Sequence, residues 1–538
     1  MADTSQRGHH PHRRINQPRP TKRALTPLGP NLASLNPGQA YTLRMLRNSN
    51  SVDNEVFEQA RLSRDARFDG RFFVGVKTTG IYCRPVCPAN APKSENVSFY
   101  PTAAAAGEAG YRPCLRCRPE CAPGTPAWEG TSTTVQRGLR LIADGALDDG
   151  DIERLSDRLG VTSRHLRRLF TQHLGASPLA VAHTQRLHFA KRLIDQTTLP
   201  MTDIAIASGF GSTRRFNDAF RKTYGRTPRE LRQRRAIKEP SAGLTVQLPY
   251  RQPFAFDRLL RFFAGRAIPG VEVVQDGRYL RSVTLDGVNS IIDLRDGGGN
   301  VLLTVHGAGT RSLLPIIQRV RGIFDLDASP DDVSRVLSRD RYLKLLLRRQ
   351  PGVRVPGVWD GFELTVRAIL GQQISVAAAT TLSGRLAKRY GDSLSIAVPD
   401  IGNDVAPGLI FPRPERLLRA RLGDLGIIRS RSDTIRRVAK YVAEGRINFD
   451  PSQGVDEFCK SLVAIKGIGE WTAQYVAMRA LKDPDAFPHS DLGLLRAFDA
   501  PGEERMLPAD LKARAEAWRP WRAYAALLLW SSGENSGG

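Results

Sequence analysis

Cysteine is scarce in this chain: there are six among 538 residues, at positions 83, 87, 114, 117, 121 and 459. That count excludes a disulfide-stapled secreted scaffold. With five of the six packed between 83 and 121, it points instead to a metal site. Long apolar runs are missing as well. No stretch approaches the roughly 18 residues that a bilayer crossing needs, and there is neither an apolar signal core at the start nor a lipidation motif. The expectation is a cytoplasmic protein without membrane contact. Acidic residues are in deficit: 54 Asp plus Glu against 79 Lys plus Arg leave a formal charge of +25. A field of that sign attracts polyanions, nucleic acid first among them.

What is present is a chain long enough for three or four domains. Residues 1–45 carry clustered Arg, His and Pro with almost no aliphatic periodicity, the composition of a disordered basic tail. Pro, Gly and Thr gather in APGTPAWEGTST and mark a linker at 123–133, and KEPSAG marks a second at 238–243. After the second seam, RYLRSVTLDG and NVLLTVHG alternate like strands, and helical periodicity returns from about 330.

The cysteine spacing, CRPVC then CLRC with 26 residues between, fits two thiolate hairpins closing one tetrahedral zinc site from Cys83, Cys87, Cys114 and Cys117. Cys121 is left as a possible misassigned ligand. Cys459, on an apolar helical face in FCKSL, reads as buried. Arg84, Arg112, Arg116 and Arg118 would surround the metal with positive charge, and four thiolates on Zn2+ leave a net charge near −2 that keeps sulfur nucleophilic. From the residues alone, a purely structural site and a reactive sulfur both remain open.

Between the two linkers the chain repeats itself. LGVTSRHLRRLF at 159–170 aligns with GFGSTRRFNDAF at 209–220, each after a short amphipathic segment. Leu166, Leu169 and Phe170 form one apolar face, and Phe216, Ala219 and Phe220 form the equivalent one. Arg164, Arg167 and Arg168, then Arg214, Arg215 and Asn217, occupy the polar faces. A helical bundle with solvated arginines would explain either copy alone. Two copies predict paired helix-turn-helix units that place these side chains in a major groove. The stretch resembles the DNA-binding region of the AraC family of transcription activators, with RTPRELRQRR similar to that family's C-terminal end.

DARFDGRFFVGVKTTGIYCRPVCPA, KSENVSFY and GYRPCLRCRPE resemble the N-terminal domain of the Ada adaptive-response family, which joins that domain directly to an AraC-type one. The resemblance implies that Cys83 accepts a methyl group irreversibly from a DNA methylphosphotriester, and that Cys87, Cys114 and Cys117 complete the zinc ligand set. Methylation would lower the cluster charge from about −2 to −1 and weaken its repulsion of phosphates, turning damage into a transcription signal. The family's second acceptor motif, Pro-Cys-His-Arg, is missing, since Cys459 is the only cysteine beyond 121. That activity is not expected.

In the second half, LVAIKGIGEWTA places a Gly467-Ile468-Gly469 turn between two helices, where glycines let backbone N–H groups meet a phosphate. Trp471, Tyr475 and Met478 follow at core-stripe spacing, and Asp491 stands where a helix N-cap would. The segment resembles the helix-hairpin-helix DNA glycosylases, and VWDGFELTVRAILGQQISVAAATTL, LGDLGIIRSRSDTIRRVA and WRPWRAYAALLLW resemble the AlkA-type 3-methyladenine glycosylases among them. The resemblance implies that Asp491 is catalytic, that Trp471, Tyr475 and Trp530 receive a flipped cationic base, and that Gly467 and Gly469 grip DNA. Glu470 and Trp471 stand where glycosylases that also cut the backbone carry a lysine, so base excision without lyase activity is expected. Gln373 occupies the place of an apolar wedge, so the filler is expected to be polar there or to be a neighbouring residue; Leu492 takes the place of an aromatic, and His489 reads as a loop residue.

The expected fold is multidomain α+β. A four-cysteine zinc domain at 46–122 precedes an all-α double helix-turn-helix domain at 134–237. A mixed α/β subdomain at 244–330 then leads into an all-α helix-hairpin-helix glycosylase domain at 331–533. The expected cofactor is one Zn2+. The expected partners are double-stranded DNA, both promoter and damaged, and RNA polymerase, with the chain a monomer. Two rivals stand beside this reading: a regulator whose glycosylase half is an inactive DNA-binding scaffold, and a basic zinc protein bound to RNA.

Overall fold

The structure, a computed structural model, describes residues 54–534 apart from 124–132, 144, 149, 233–242, 308–311, 400, 403–404, 451–452 and 499–504. The expected basic tail and most of both expected linkers lie outside the described residues. Residues from Phe57 onward form a unit separate from Met1–Val56, and it is described here alone.

Its first module is a small sheet in the order β3-β1-β2-β4, with β1 at Phe73–Val76, β2 at Ile81–Cys83, β3 at Val97–Tyr100 and β4 at Arg112–Pro113. β1 pairs antiparallel with β2 and β3, while β4 runs parallel to β2. The parallel pairing places Cys114 beside Cys83, and the Cys114 N–H donates to the Tyr82 carbonyl at 3.0 Å. Helix α1, Ala103–Glu108, starts where the Thr102 side chain accepts from the Ala105 N–H, and its four alanines let it lie close on the sheet.

The repeat becomes two helix-turn-helix units. α2 (Thr133–Ala143), α3 (Ile152–Leu159) and α4 (Ser163–Leu174) lead into the long α5 (Pro178–Gln196), then α6 (Met201–Ala207), α7 (Thr213–Tyr224) and α8 (Pro228–Leu231). The caps recur along with the apolar faces: Thr162 and Ser212 cap α4 and α7, Ser177 and Thr227 cap α5 and α8, and Gly175 and Gly225 end α4 and α7 at φ 67°. The units do not share one core. The first buries Leu166, Phe170 and Leu174 with Ala104 and Ala105 of α1, whereas the second buries Phe216, Phe220 and Tyr224 in a cluster continuous with the following sheet.

That sheet has five antiparallel strands in the order β5-β9-β8-β7-β6: β5 Leu244–Pro249, β6 Glu272–Gln275, β7 Arg278–Leu285, β8 Val288–Asp296 and β9 Asn300–His306. One face packs on α9 (Phe256–Ala264) and α10 (Leu313–Ile323) through Phe256, Phe263, Ile316 and Val320. Helix thus appears at Phe256 and again at Leu313, both earlier than the expected residue 330, because α9 and α10 are needed to cover the sheet. The remainder is helical apart from a small two-stranded antiparallel sheet, β10 (Asp392–Ser393) with β11 (Leu409–Ile410), so the expected all-α domain is corrected there: α11 Pro330–Leu337, α12 Arg341–Arg349, α13 Gly361–Leu370, α14 Val376–Tyr390, α15 Pro414–Leu417, α16 Arg429–Ala443, α17 Val455–Val463, α18 Glu470–Ala480, α19 Leu492–Arg496, α20 Pro508–Ala515 and α21 Arg522–Glu534. α13, α16, α17, α18 and α21 converge on one large apolar core around Phe362, Ile435, Leu462, Val476 and Leu528.

Candidate active site and metal centre

The zinc module brings the four expected sulfurs together. One ligand atom from each of Cys83, Cys87, Cys114 and Cys117 lies within 4.8 Å of the others. Tetrahedral Zn–S bonds of about 2.3 Å place sulfurs about 3.8 Å apart, so the set fits one zinc ion, and Cys121 is not part of it. The metal would keep the sulfurs as thiolates and so make one of them a nucleophile.

The expected ring of positive charge is corrected in part. Arg84 spans Asp69 and the cluster: its Nε lies 2.8 Å from Asp69 Oδ1, its Nη1 donates to the Cys117 carbonyl at 3.1 Å, and its backbone N–H donates to Cys117 Sγ at 3.3 Å. Arg118 is committed to Asp195 of α5 and to Glu120. Half-buried guanidinium groups take carboxylates first; Arg112 and Arg116 remain exposed. Beyond Arg118–Asp195, further ties join this module to its neighbours, among them the Tyr82 hydroxyl with His188 Nε2 of α5 at 3.0 Å, Lys191 with Glu120 at 3.6 Å, and Arg71 with Asp332 of α11. On the recognition helices, Arg164, Arg167 and Arg168 of α4 and Arg214 and Arg215 of α7 are exposed, while Asn217 is half-buried.

In the second half, Asp491 caps α19. Its Oδ1 accepts from the Gly493 N–H at 2.8 Å, the Leu494 N–H at 3.1 Å and Trp530 Nε1 at 2.8 Å. Its Oδ2 accepts from Trp471 Nε1 at 2.7 Å. The N-cap and site readings of Asp491 therefore describe one arrangement: Oδ1 is saturated, while Oδ2 takes a single donor and keeps a lone pair for another partner. The stripe on α18 divides. Met478 is fully buried, whereas Trp471 and Tyr475 are half-buried and stacked, with ring centroids 5.3 Å apart and 7° between planes. Trp530 stands edge-on to Tyr475 at 6.3 Å.

The hairpin turn sits between α17 and α18. Gly467 adopts φ 102°, and a Cβ there would meet Thr434 Oγ1 at 2.1 Å, so only glycine fits. Gly469 is different: a Cβ on it would meet nothing, which leaves open space at the start of α18, whose N-cap carries no side-chain hydrogen bond. Gln373 is exposed in the left-handed region at φ 56°. Its neighbour Gln372 is drawn inward, with Nε2 donating to the Gly467 carbonyl at 3.1 Å and its own carbonyl taken by Arg431. Leu492 is 66% exposed beside Asp491, and His489 lies in the preceding loop.

The sequence reading missed three residues. Gln372 and Thr434 brace the turn, and Arg479 donates from Nη1 to the Tyr475 hydroxyl at 2.6 Å. Only the i, i+4 spacing of Tyr475 and Arg479 on one helix could have signalled the last.

Comparison with known families agrees with this geometry. Residues 57–120 match the metal binding domain of Ada, 155–234 a helix-turn-helix domain, 245–360 the AlkA N-terminal domain, and 366–523 the HhH-GPD superfamily of base excision DNA repair proteins. Together these define a DNA repair protein that also carries a transcription-regulating module. A probable bifunctional transcriptional activator/DNA repair enzyme AlkA of Mycobacterium tuberculosis is 41% identical over 491 residues, 90% of this chain and 97% of that protein. DNA-3-methyladenine glycosylase 2 of Escherichia coli is 33% identical, over 53% of this chain and 95% of its own length. The bifunctional activator/repair enzyme AdaA of Bacillus subtilis is 31% identical, over 39% and 98%. The chain belongs to the Ada/AlkA family of bifunctional transcriptional activators and DNA repair enzymes, with a methyl-acceptor zinc domain, a helix-turn-helix domain and a 3-methyladenine glycosylase domain in one polypeptide. Among the described residues no helix is long and apolar enough to cross a membrane.

Proposed function

We propose that the chain takes a methyl group from DNA methylphosphotriesters onto Cys83, activates repair genes through α4 and α7, and excises alkylated purines with Asp491. The observation that carries the glycosylase part is the carboxylate held by four N–H donors between two indoles. Those donors fix its position before substrate arrives, so no reorganisation is needed when charge develops.

A purine alkylated at a ring nitrogen is cationic and already a good leaving group. Once flipped, it meets the faces of Trp471 and Trp530, each contributing on the order of 1–2 kcal/mol of cation–π attraction when desolvated. As the glycosidic C–N bond breaks, positive charge moves to the sugar. Asp491 Oδ2, the oxygen with a free lone pair, stabilises that charge or orients the attacking water. The backbone N–H groups opening α18 beside Gly469 receive a phosphate, and exposed Gln373 fills the place the base leaves. Glu470 opens α18 where a lysine would be needed for strand cleavage, so the product is an abasic site with the backbone intact.

In the zinc module Cys83 is the acceptor and Cys87, Cys114 and Cys117 are the remaining ligands; the thioether formed lowers the cluster's negative charge and raises DNA affinity. Double-stranded DNA is the partner of all three modules, RNA polymerase the partner in activation, and the chain acts as a monomer. Incubation with methylated duplex, followed by peptide mapping of the label and assay of liberated purines, tests both reactions at once. Label on Cys83 and released 3-methyladenine are expected. Absence of both would remove the proposal, and absence of released base alone would leave an inactive scaffold.

A further inference from the structure

Behind the aromatic wall lies a cation without a carboxylate. Arg479 is 3% exposed, and its donors go to neutral acceptors: Nε to the Pro356 carbonyl at 2.8 Å, Nη2 to the Gly357 carbonyl at 3.2 Å and Nη1 to the Tyr475 hydroxyl oxygen at 2.6 Å. The guanidinium also lies over the rings of Phe262, at 5.0 Å, and Tyr475, at 5.4 Å. The nearby acids are already engaged. Glu272 holds Arg281 at 2.7 Å, Arg367 at 3.2 Å and the Tyr279 hydroxyl, and Glu363 holds Arg281 and Arg367. Arg367 is also bonded to the carbonyl of Arg266, whose own guanidinium stacks on Phe262 at 3.9 Å. Four guanidinium groups thus share two carboxylates in this floor.

Arginine does not deprotonate in proteins, and an unpaired buried charge costs about several kcal/mol. The acidic group in contact with Arg479 is the Tyr475 phenol. Burial opposes ionisation of that phenol, but Arg479, Arg266 and Arg367 outweigh it and hold its pKa below that of an ordinary tyrosine. The groups facing it are Arg479 and Trp471 on α18, Arg367 on α13, Arg266 after α9, and Trp530 on α21, which is tied to Asp491.

We infer that Tyr475 decides whether the pocket accepts a charged base, its phenolate paired with Arg479 cancelling the buried positive charge that would otherwise repel a cationic alkylpurine. In the ionisation the phenol O–H bond breaks, the electron pair stays on oxygen and the proton leaves to solvent. With the phenol intact, an incoming cation meets an uncompensated Arg479. With it ionised, the pair is neutral and the ring is richer in π density. A neutral damaged purine is indifferent to this charge, so the Tyr475–Arg479 pair sets charge selectivity and not the rate of bond cleavage as such.

The inference rests on the glycosylase reading, but its first test needs no activity. The tyrosinate ultraviolet absorbance of the zinc-loaded full chain is titrated with pH. Of the 12 tyrosines, one is expected to ionise ahead of the rest, to be lost in Tyr475→Phe, to move upward in Arg479→Gln and to persist in Arg479→Lys. Circular dichroism confirms that each variant is folded. Absence of an early tyrosinate, or its survival in Tyr475→Phe, overturns the inference. Second, the ratio of 3-methyladenine to hypoxanthine excision is expected to rise about tenfold per pH unit below the Tyr475 pKa and to be flat in Tyr475→Phe; equal slopes overturn it. An early tyrosinate in a chain that excises neither base supports the ion pair and overturns only the glycosylase reading.

Discussion

Asp491→Asn separates charge from shape at the centre of the proposed reaction. Asn is as good an N-cap as Asp, so its Oδ1 keeps the Gly493 and Leu494 N–H groups and Trp530 Nε1, at 2.8, 3.1 and 2.8 Å, and α19 stays in place. The other atom changes sign. Nδ2 replaces Oδ2 opposite Trp471 Nε1, where 2.7 Å now separates two donors. One indole N–H loses its acceptor, at about 1–3 kcal/mol, and the lone pair assigned to the sugar or water disappears. Loss of a single preorganised group at a developing charge costs about 3–4 kcal/mol, or 10²–10³ in rate, and the loss of a full negative charge beside an oxocarbenium ion lies at or beyond the upper end. Single-turnover release of 3-methyladenine from a defined duplex is therefore expected to slow by about 10³-fold or more, while duplex affinity stays within about twofold because no phosphate contact is touched. An Asp491→Asn chain that excises at a tenth of the wild-type rate or faster would refute the assignment. So would a loss of rate explained entirely by weaker DNA binding.

Gly467→Ala combines φ 102° with a Cβ placed 2.1 Å from Thr434 Oγ1, so it is expected to destabilise the hairpin by about 2–3 kcal/mol and weaken duplex binding. Adding Thr434→Ala should recover the steric part in denaturant titrations. Asp325 accepts from the Tyr524 hydroxyl at 2.7 Å, and burial pushes its pKa up to about 6, with Arg354 pulling the other way. Its carboxyl binds protons more tightly folded than unfolded, so it costs stability as pH rises from about 4 to 6, and that cost is constant above. Asp325→Asn should remove this slope, seen as a gain in apparent Tm over wild type that grows from about pH 4 to pH 6 and levels off above. Zinc chelation should expose residues 57–120 to protease, since the apolar clusters there are small, and leave base excision intact.

The helix-turn-helix repeat was legible because each of its signals is local. Caps and apolar faces recur together, Thr162 with Ser212 and Gly175 with Gly225, and neither needs a distant partner to be recognised. What periodicity does not encode is the partner of a buried face. Phe170 and Phe220 hold equivalent positions in the repeat, yet the first packs toward α1 of the zinc module and the second toward the five-stranded sheet. A linear reading assigns both to one bundle, since it knows which side is apolar and not what covers it.

The site divides along the same line. The N-cap position of Asp491 is a local sequence feature, but its expected catalytic role, like the expected base contact of Trp471, comes only from the resemblance to the helix-hairpin-helix glycosylases. That the two are one hydrogen-bonded unit, with Trp530 from the far end of the domain on the other oxygen, depends on α18, α19 and α21 meeting in the core. Arg479 shows the limit most clearly. In sequence a lone arginine is a solvated charge by default, since buried arginines without a carboxylate are rare. Here it is buried because α18 presses against the loop at Pro356 and Gly357, whose carbonyls satisfy two of its donors. Neutral carbonyls satisfy hydrogen bonds without cancelling charge, so the remaining donor falls on the one neighbour able to become an anion, Tyr475, and that neighbour forms part of the wall a flipped base would meet.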